Sequence, residues 1–579
     1  MASNIEEYFT RDDSEIEDYD SDVSMNDVYQ FDPPSSDSEE LINQRRINRK
    51  RPRKLSTSSE EETSEVPADI EIAHQTGKLL WSKTNLEPKL HIFDEQNAGV
   101  KGNLNPESTP LDAFQMTFSE ELVAQITEQT NNYFKYVQQC TAYKKNSRLV
   151  NWKDASVPEM YVFLCISMLM PRSKKLTLNE YWSMDELLKS DIFRKLMARD
   201  RYMVLLQMLH FNDNNTASDD PLVKIQPVID KLKVSFSQSF APYKYLCIDE
   251  SLLLYKGRCY FKQYIPSKRS RFGIKLFLLC DCKTNYVLDF IIYTGQKTNI
   301  TKSNTAIGIS GDVVMTLLQP YLGKGHALIT DNWYTSPGLY TLLHENKTNA
   351  FGTVRRNRKE MPHMEEKLKR GEMCYRSTDI LLAMKWHDKK EVWMLSSAHA
   401  AALIETEKRD YRSGLYKKKP SCIVDYNSNM GAVDRVDMIL STLNSLRKTI
   451  KWYKKLFFHL LDLAVYNAYI LYKKSTPSKQ KFSEFHLTLI REILRKYFQR
   501  RSNVGGGKRK SEDLPFRLID RHFPSKCSNR ADTTQLSRRK CVVCVKHKRR
   551  SDTRYECKKC DVGLCIDNCF EIFHTQLNY

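Results

Sequence analysis

The chain has 579 residues, 41% hydrophobic and 28% charged, with a formal net charge of +19. That length exceeds what a single hydrophobic core serves, so several domains are expected. The positive excess favours a polyanionic partner, nucleic acid before a membrane surface, and the N-terminal residues lack the basic-then-apolar pattern of a secretory leader.

The charge is uneven. Residues 1–44 carry 14 acids and one base, Arg11, so the remainder carries about +32. Residues 1–110 are poor in apolar side chains and rich in Asp, Glu and Ser, and are expected to be largely disordered. Within them RRINRKRPRK (45–54) places seven bases in ten residues before the acidic-serine run STSSEEETSE. Such a cluster reads as a nuclear import signal or a nucleic-acid patch, which implies a nuclear protein and an import receptor among its partners.

From 111 to 244 the spacing is helical. SEELVAQITEQTNNYFKYV opens on Ser119 with two acids in its first turn, and WKDASVPEMYVFLCISMLM and ARDRYMVLLQMLHF repeat an apolar helical face. These segments read as scaffold. At 245 the texture changes to strands: YLCIDESLLLY, then IKLFLLCDC and YVLDFIIYTG joined by the polar turn KTN. A helix (DVVMTLLQPYL), a strand (HALITD), a helix near SPGLYTLLHEN and a strand (NAFGTV) follow. The order β-β-β-α-β-α-β is that of an RNase H-like nuclease core, predicted to span 245–440. An insertion of about 355–425, with its own hairpin DILLAMKWHDKKEVWMLSSA, reads as an inserted subdomain. Residues 441–525 return to helices and a basic linker. Their longest apolar run, Leu456 to Tyr472, is broken by His459, Asp462 and Asn467, which suits a buried helix and not a membrane span.

The chemistry is carried by four aspartates. Asp249 and Asp331 each end an apolar run, Tyr245–Ile248 and Ala327–Thr330, and are expected at strand tips. Asp434 and Asp437 lie three residues apart in GAVDRVDMIL and share a helix face. One strand-end aspartate is more often a turn former, but the strand order predicts which positions should be acidic, and those positions are. Carboxylates fixed in this way suit hard divalent cations such as Mg2+. Two such ions about 3.5–4 Å apart serve phosphoryl transfer without a general-base histidine.

Of the 15 cysteines, eight precede residue 500 and read as reduced core thiols. Six crowd together as Cys541-x2-Cys544, Cys557-x2-Cys560 and Cys565-x3-Cys569. With His574, and with His547 between the first two pairs, they make eight candidate ligands for one or two structural zinc ions, interleaved if cross-braced. His547 is the least secure, because it lies in the basic run KHKRR. The zinc-binding module is placed at 526–579.

The sequence resembles the piggyBac family of DNA transposases. The matching residues are CIDESLLLYKGR, QYIPSKRSRFGIK, TDNWYTS, GTVRRNRKEMP, VDYNSNMGAVDRVDM, KWYKK and the terminal RYECKKC, LCIDNCFEIFHT and NY, in order from about residue 110. The resemblance implies a multidomain α/β protein: an RNase H-like core, a helical dimerisation and DNA-binding domain formed from both sides of it, and a C-terminal zinc module. It implies catalytic Asp249, Asp331 and Asp434, with Asp437 a further acid of the site. It also implies a homodimer that excises a transposon at its terminal inverted repeats through hairpin ends and inserts it at TTAA. The zinc module would bind transposon-end DNA, although similar cross-brace modules read chromatin peptides. Basic stretches supply candidate DNA contacts: Arg271 and Lys275, Arg355 and Arg358, and Trp452, Lys454 and Lys455. Trp333 is either core packing or a wedge against an unstacked base, and packing is favoured. The rival reading is a domesticated DNA- or chromatin-binding regulator that keeps the fold.

Overall fold

The computed structural model describes residues 79–140, 147–214, 218–265, 272–302, 307–409, 414, 416–443, 445, 449, 451–498, 521–529, 535–576 and 579. The acidic tail, the basic cluster at 45–54 and Arg271 lie outside the described residues.

The first helices are α1 (Pro110–Thr117), α2 (Glu120–Cys140), α3 (Val157–Leu169), α4 (Arg199–Met208) and α5 (Gln226–Ser239). Thr109 caps α1 and Asp112 reaches back to the cap, a reciprocal pair that fixes where the helix starts. Ser119 accepts from the Leu122 N–H at the start of α2.

The sheet follows. Strands β1 (Tyr245–Leu254), β2 (Phe272–Asp281) and β3 (Val287–Ile292) form an antiparallel meander. Helix α6 (Gly308–Leu318) leads to β4 (Ala327–Thr330), and α7 (Pro337–Glu345) leads to β5 (Asn349–Thr353). β4 lies parallel to β1 and β5 parallel to β4. The spatial order β3-β2-β1-β4-β5 is the RNase H-like core that the strand sequence predicts. At the β4–β5 seam the backbones approach so closely that a Cβ on Gly352 would stand 2.0 Å from the Thr330 carbonyl oxygen.

The insertion divides: its last strands, Leu403–Arg409 and Tyr416–Pro420, pair with each other as a separate hairpin, while the earlier ones extend the core sheet. Its strands β6 (Met373–Ser377), β7 (Leu382–His387) and β8 (Glu391–Ser396) continue the same sheet in the order β5-β8-β7-β6. β8 pairs antiparallel with β5, Met394 opposite Thr353. The predicted hairpin is present as β7–β8. It finds its hydrogen-bonding partner at the open edge of β5, because an unpaired edge left there would expose a row of N–H and C=O groups.

A correction concerns residues 79–109, expected within the disordered region. They form an ordered strap. Ser82 exchanges backbone hydrogen bonds with Ser377 of the edge strand β6 at 2.8 and 2.9 Å, Leu86 is buried, and Gly99–Val100 pairs with Phe240–Ala241. Gly325 takes a positive φ of 78°, and a Cβ there would meet the Ile92 carbonyl at 1.9 Å. The strap is held both by this backbone pairing and by apolar side chains packed on the core, among them Leu79, Trp81, Val100 and Leu104, local signals within 79–109 that the average composition of 1–110 conceals.

After the sheet come α8 (Ser421–Asn429), α9 (Ala432–Leu440), α10 (Trp452–Ser475) and α11 (Phe482–Tyr497). α9 packs on β1 and β2, while α10 and α11 pack on α1 and α3. Thr117 donates to the Ala464 carbonyl, the Leu111 N–H to Glu492, and Tyr161 stacks on Tyr497 at 4.0 Å. One helical domain is thus built from both sides of the catalytic core. Among the described residues no helix is long and apolar enough to cross a membrane.

Candidate active site and metal centre

Asp331 is the first residue after β4. The Trp333 N–H donates to its Oδ1 at 2.9 Å, and the N–H groups of Tyr334 and Thr335 donate to its carbonyl. This Asx turn aims the carboxylate off the strand end. Burial raises its pKa and the Glu250 charge raises it further, against the Trp333 N–H and Arg355, which lower it.

Asp249 is not at a strand tip. It is the fifth of ten residues in β1, opposite Leu278 of β2. β1 runs on because β2 supplies a partner from Leu246 to Leu254, whereas the parallel partner β4 stops at the Ile248–Thr330 pair. Asp249 and Asp331 are therefore the next residues past that pair, side by side on adjacent strands. Asp249 marks the end of the parallel ladder and not of its own strand.

The helix acids divide. Asp437 is half-buried, and the Ser251 hydroxyl donates to its Oδ1 at 2.6 Å. Ser251 and Asp249 are two apart on β1 and share one face of the sheet, so α9 docks its acid beside Asp249. The thiol of Cys280, on β2, has its pKa raised chiefly by burial, with charges from both Asp437 and Asp249 among the smaller causes. Asp434, one turn earlier, is exposed. Arg435 is turned away, its Nε donating to Asn285 at 2.8 Å. Among the described residues the sets with ligand atoms all within 4.8 Å of one another are two Cys/His groups, and the aspartates do not make a third.

Other residues frame the acids. Arg358 donates to the carbonyls of Asn332 and Trp333 at 2.7 and 2.8 Å and so holds the Asp331 turn, while the exposed Arg355 reaches the Asn332 side chain at 3.3 Å. Lys275 pairs with Glu250 at 2.6 Å and lies over the Phe277 and Trp333 rings, 4.6 and 4.8 Å from their centroids. Trp333 stacks on Phe277, so packing is its role here. Tyr426 of α8 is pushed up to about 12, by burial first, with Asp331 and Asp249 adding to it. α8 is braced through His399, whose Nδ1 lies 2.8 Å from the Ser396 hydroxyl and whose Nε2 lies 3.0 Å from Asp425. Ser396 is buried, so this constellation is a strut and not a nucleophile.

Two expected DNA contacts are corrected. Lys454 is 4% exposed and donates to the Leu206 and Gln207 carbonyls at 2.7 Å each, closing the last turn of α4. Burial holds its pKa well below the usual lysine range. Lys455 is also buried, its pKa lowered to about 8 by burial. Both lie on the inner side of α10, where no phosphate reaches. Trp452 is half-buried, edge-on to Phe261 at 5.1 Å.

At the C-terminus two metal-binding sets form. One is Cys541, Cys544, Cys565 and Cys569, and the other is His522, Cys557, Cys560 and His574. The two alternate along the chain, a cross-brace. Cys544 lies 3.6 Å from Cys569 and 3.9 Å from Cys565 (Sγ to Sγ), close to the edge of about 3.8 Å that follows from Zn–S bonds of about 2.3 Å in a tetrahedron. His522 Nδ1 lies 3.3 and 3.4 Å from Cys557 and Cys560 Sγ. His574 places Nε2 at 3.6 Å from Cys560 while its Nδ1 meets the Phe570 carbonyl at 2.8 Å, the outer contact that orients a ligating imidazole. His547 is exposed after the short helix Val542–Lys546 and belongs to neither set. Its place is taken by His522, which spacing missed. Alternation along the chain is satisfied by either histidine, so local spacing carries no signal for His522, which lies 19 residues before Cys541. The module consequently begins before residue 526, and Ser525–Lys526 pairs with Tyr555–Glu556.

The family described as Transposase IS4 matches residues 109–469, more than half of the chain. The chain belongs to this transposase family. A DDE_Tnp_1-like zinc finger matches residues 530–575, which hold every ligand of the two Cys/His sets except His522, and this supports structural zinc in the module. The chain is 26% identical over 427 residues to human PiggyBac transposable element-derived protein 3, covering 72% of this chain and 69% of that protein. It is 24% identical over 413 residues to human PiggyBac transposable element-derived protein 2, covering 68% and 66%. In fold it matches the piggyBac transposase solved by cryo-EM as a synaptic complex with hairpin DNA, with a TM-score of 0.63 and 23% identity, over 81% of this chain and 99% of that one.

Proposed function

We propose that the chain is a cut-and-paste DNA transposase of piggyBac type, acting in the nucleus as a homodimer. It would excise an element at its terminal inverted repeats through hairpin ends and insert it at TTAA. The observation that carries this reading is the adjacency of Asp249 and Asp331 past the last β1–β4 pair, with Asp437 brought to the same face through Ser251. Burial, with the Glu250 charge adding to it, raises the pKa of Asp331, and an all-oxygen donor set suits Mg2+. Asp249 would hold two ions, Asp331 one of them, and the Asp434/Asp437 helix the other. When bound, they activate an attacking oxygen and stabilise a leaving one.

The chain's own residues fix the rest. Ser251 holds Asp437 against β1, Arg358 holds the Asp331 turn, and Trp333 closes over Phe277 beside it. Exposed Arg355, next to Asn332, is the best placed of the described basic residues to meet a phosphate near the acids, and Arg271 is proposed with it. The zinc module, with Lys546, Lys548, Arg549 and Arg550 exposed on one segment, is proposed to bind transposon ends.

The test is excision in cells of a reporter interrupted by the element's own ends and flanked by TTAA. Wild type should restore the reporter and Asp249→Asn should not, while retaining end binding. Restoration by Asp249→Asn would remove Asp249 from the chemistry. Failure of wild type with correct ends would favour a regulator that keeps the fold without transposing.

A further inference from the structure

Behind the aspartates lies a second layer of polar groups that this reading has not used. Tyr334 is fully buried, edge-on to Trp333 at 4.7 Å and to Phe277 at 6.2 Å. Its hydroxyl is a buried polar atom without a hydrogen-bond partner. Burying a hydroxyl so costs free energy unless it is used in another state of the molecule. Its surroundings say for what. Burial raises the phenol well above its ordinary pKa, and the charges of Glu250, Asp249 and Asp331 push it further, Glu250 first. Glu250 of β1 lies opposite Phe277 of β2, the ring against which Tyr334 packs, so the phenol and this carboxylate share one region of the sheet.

The covalent frame ties Tyr334 to Asp331. Tyr334 is three residues after Asp331 in the same turn, with its N–H on the Asp331 carbonyl at 3.3 Å. Glu250 is already anchored on one side by Lys275 at 2.6 Å. Its charge adds to the repulsion on Asp331.

We propose that Tyr334 is a positioning residue for the acidic site, its hydroxyl donating to the Glu250 carboxylate when Asp249 and Asp331 draw together around divalent cations. Held by Tyr334 as well as by Lys275, Glu250 becomes a fixed outer support of the site. Outer contacts of this kind are worth about 10–100-fold in metal affinity. The inference rests on the metal-site reading above.

The experiment compares full-length wild type and Tyr334→Phe, which removes one oxygen and keeps the ring packing. Thermal unfolding is followed in EDTA and across a Mn2+ titration, and Mn2+ binding is counted by electron paramagnetic resonance. Zinc-module unfolding is identified in parallel by thiol release. In EDTA, Tyr334→Phe should melt at or above the wild-type temperature, because an unused buried hydroxyl is removed. Its half-saturating Mn2+ concentration should be about 10–100-fold higher. Lys275→Met, which frees Glu250 on its other side, should shift Mn2+ binding in the same direction. Equal Mn2+ affinity in wild type and Tyr334→Phe would overturn the inference, as would a lower melting temperature in EDTA. Absence of Mn2+ binding by wild type at the aspartates would instead sink the metal-site reading itself.

Discussion

The Ser251 hydroxyl donates to Asp437 at 2.6 Å, joining the middle of β1 to a helix 186 residues further along the chain. Ser251 is almost fully buried, two residues from Asp249. One short side chain therefore sets the distance between the strand acid and the helix acid.

Ser251→Ala should leave the fold intact and loosen α9. A buried hydrogen bond to a carboxylate is worth about 1.5–3 kcal/mol, so a lower unfolding midpoint of that order is expected. DNA cleavage should fall more steeply than DNA binding. The check is denaturant unfolding alongside cleavage of end-bearing duplexes, and unchanged cleavage would show that α9 is positioned by its apolar face alone.

His522→Ala should release one of two zinc ions, whereas His547→Ala should retain both. Metal content by atomic absorption after dialysis distinguishes them. Loss of zinc from the His547 variant would reverse the ligand assignment.

Lys454→Met should destabilise the helical domain by about 1–3 kcal/mol, since the Leu206 and Gln207 carbonyls lose their donor. The salt dependence of DNA binding should keep its slope, because a phosphate-contacting lysine would reduce that slope by about one on removal. Measuring binding across a salt series decides between a helix cap and a phosphate contact.

Asp462, buried on α10 and hydrogen-bonded by Ser445, has its pKa raised by burial to about 7. A raised carboxyl pKa means that the folded state holds its proton more tightly than the unfolded chain. Its contribution is full below about pH 4 and is lost as pH rises towards 7, at up to about 1.4 kcal/mol per pH unit. Asp462→Asn should remove that loss, so the variant gains melting temperature relative to wild type between pH 4.5 and 7.5. A constant difference across that range would show that Asp462 does not titrate in the folded protein.

The legible part of this protein was local pattern. Apolar runs and turn residues placed β1 to β5 and the helices between them, and the strand order predicted an RNase H-like sheet with acids at Asp249 and Asp331. Pairs of cysteines three or four residues apart announced zinc for the same reason: two ligands close in sequence need only a short turn to meet one ion. Partners far apart in sequence were decided by tertiary structure alone. His522 was chosen over His547 because the folded module brings its ring to 3.3 and 3.4 Å from Cys557 and Cys560, and Lys454 became a cap because α10 turns that face towards α4. The strap at 79–109 gained its order from the edge of β6 and from core packing of Leu79, Trp81, Val100 and Leu104, and β1 runs past Asp249 because β2 pairs with it from Leu246 to Leu254. A sequence records which side chains are available at short range. Which of them end up buried, paired or facing an acid depends on contacts whose loop-closure cost only the complete fold repays.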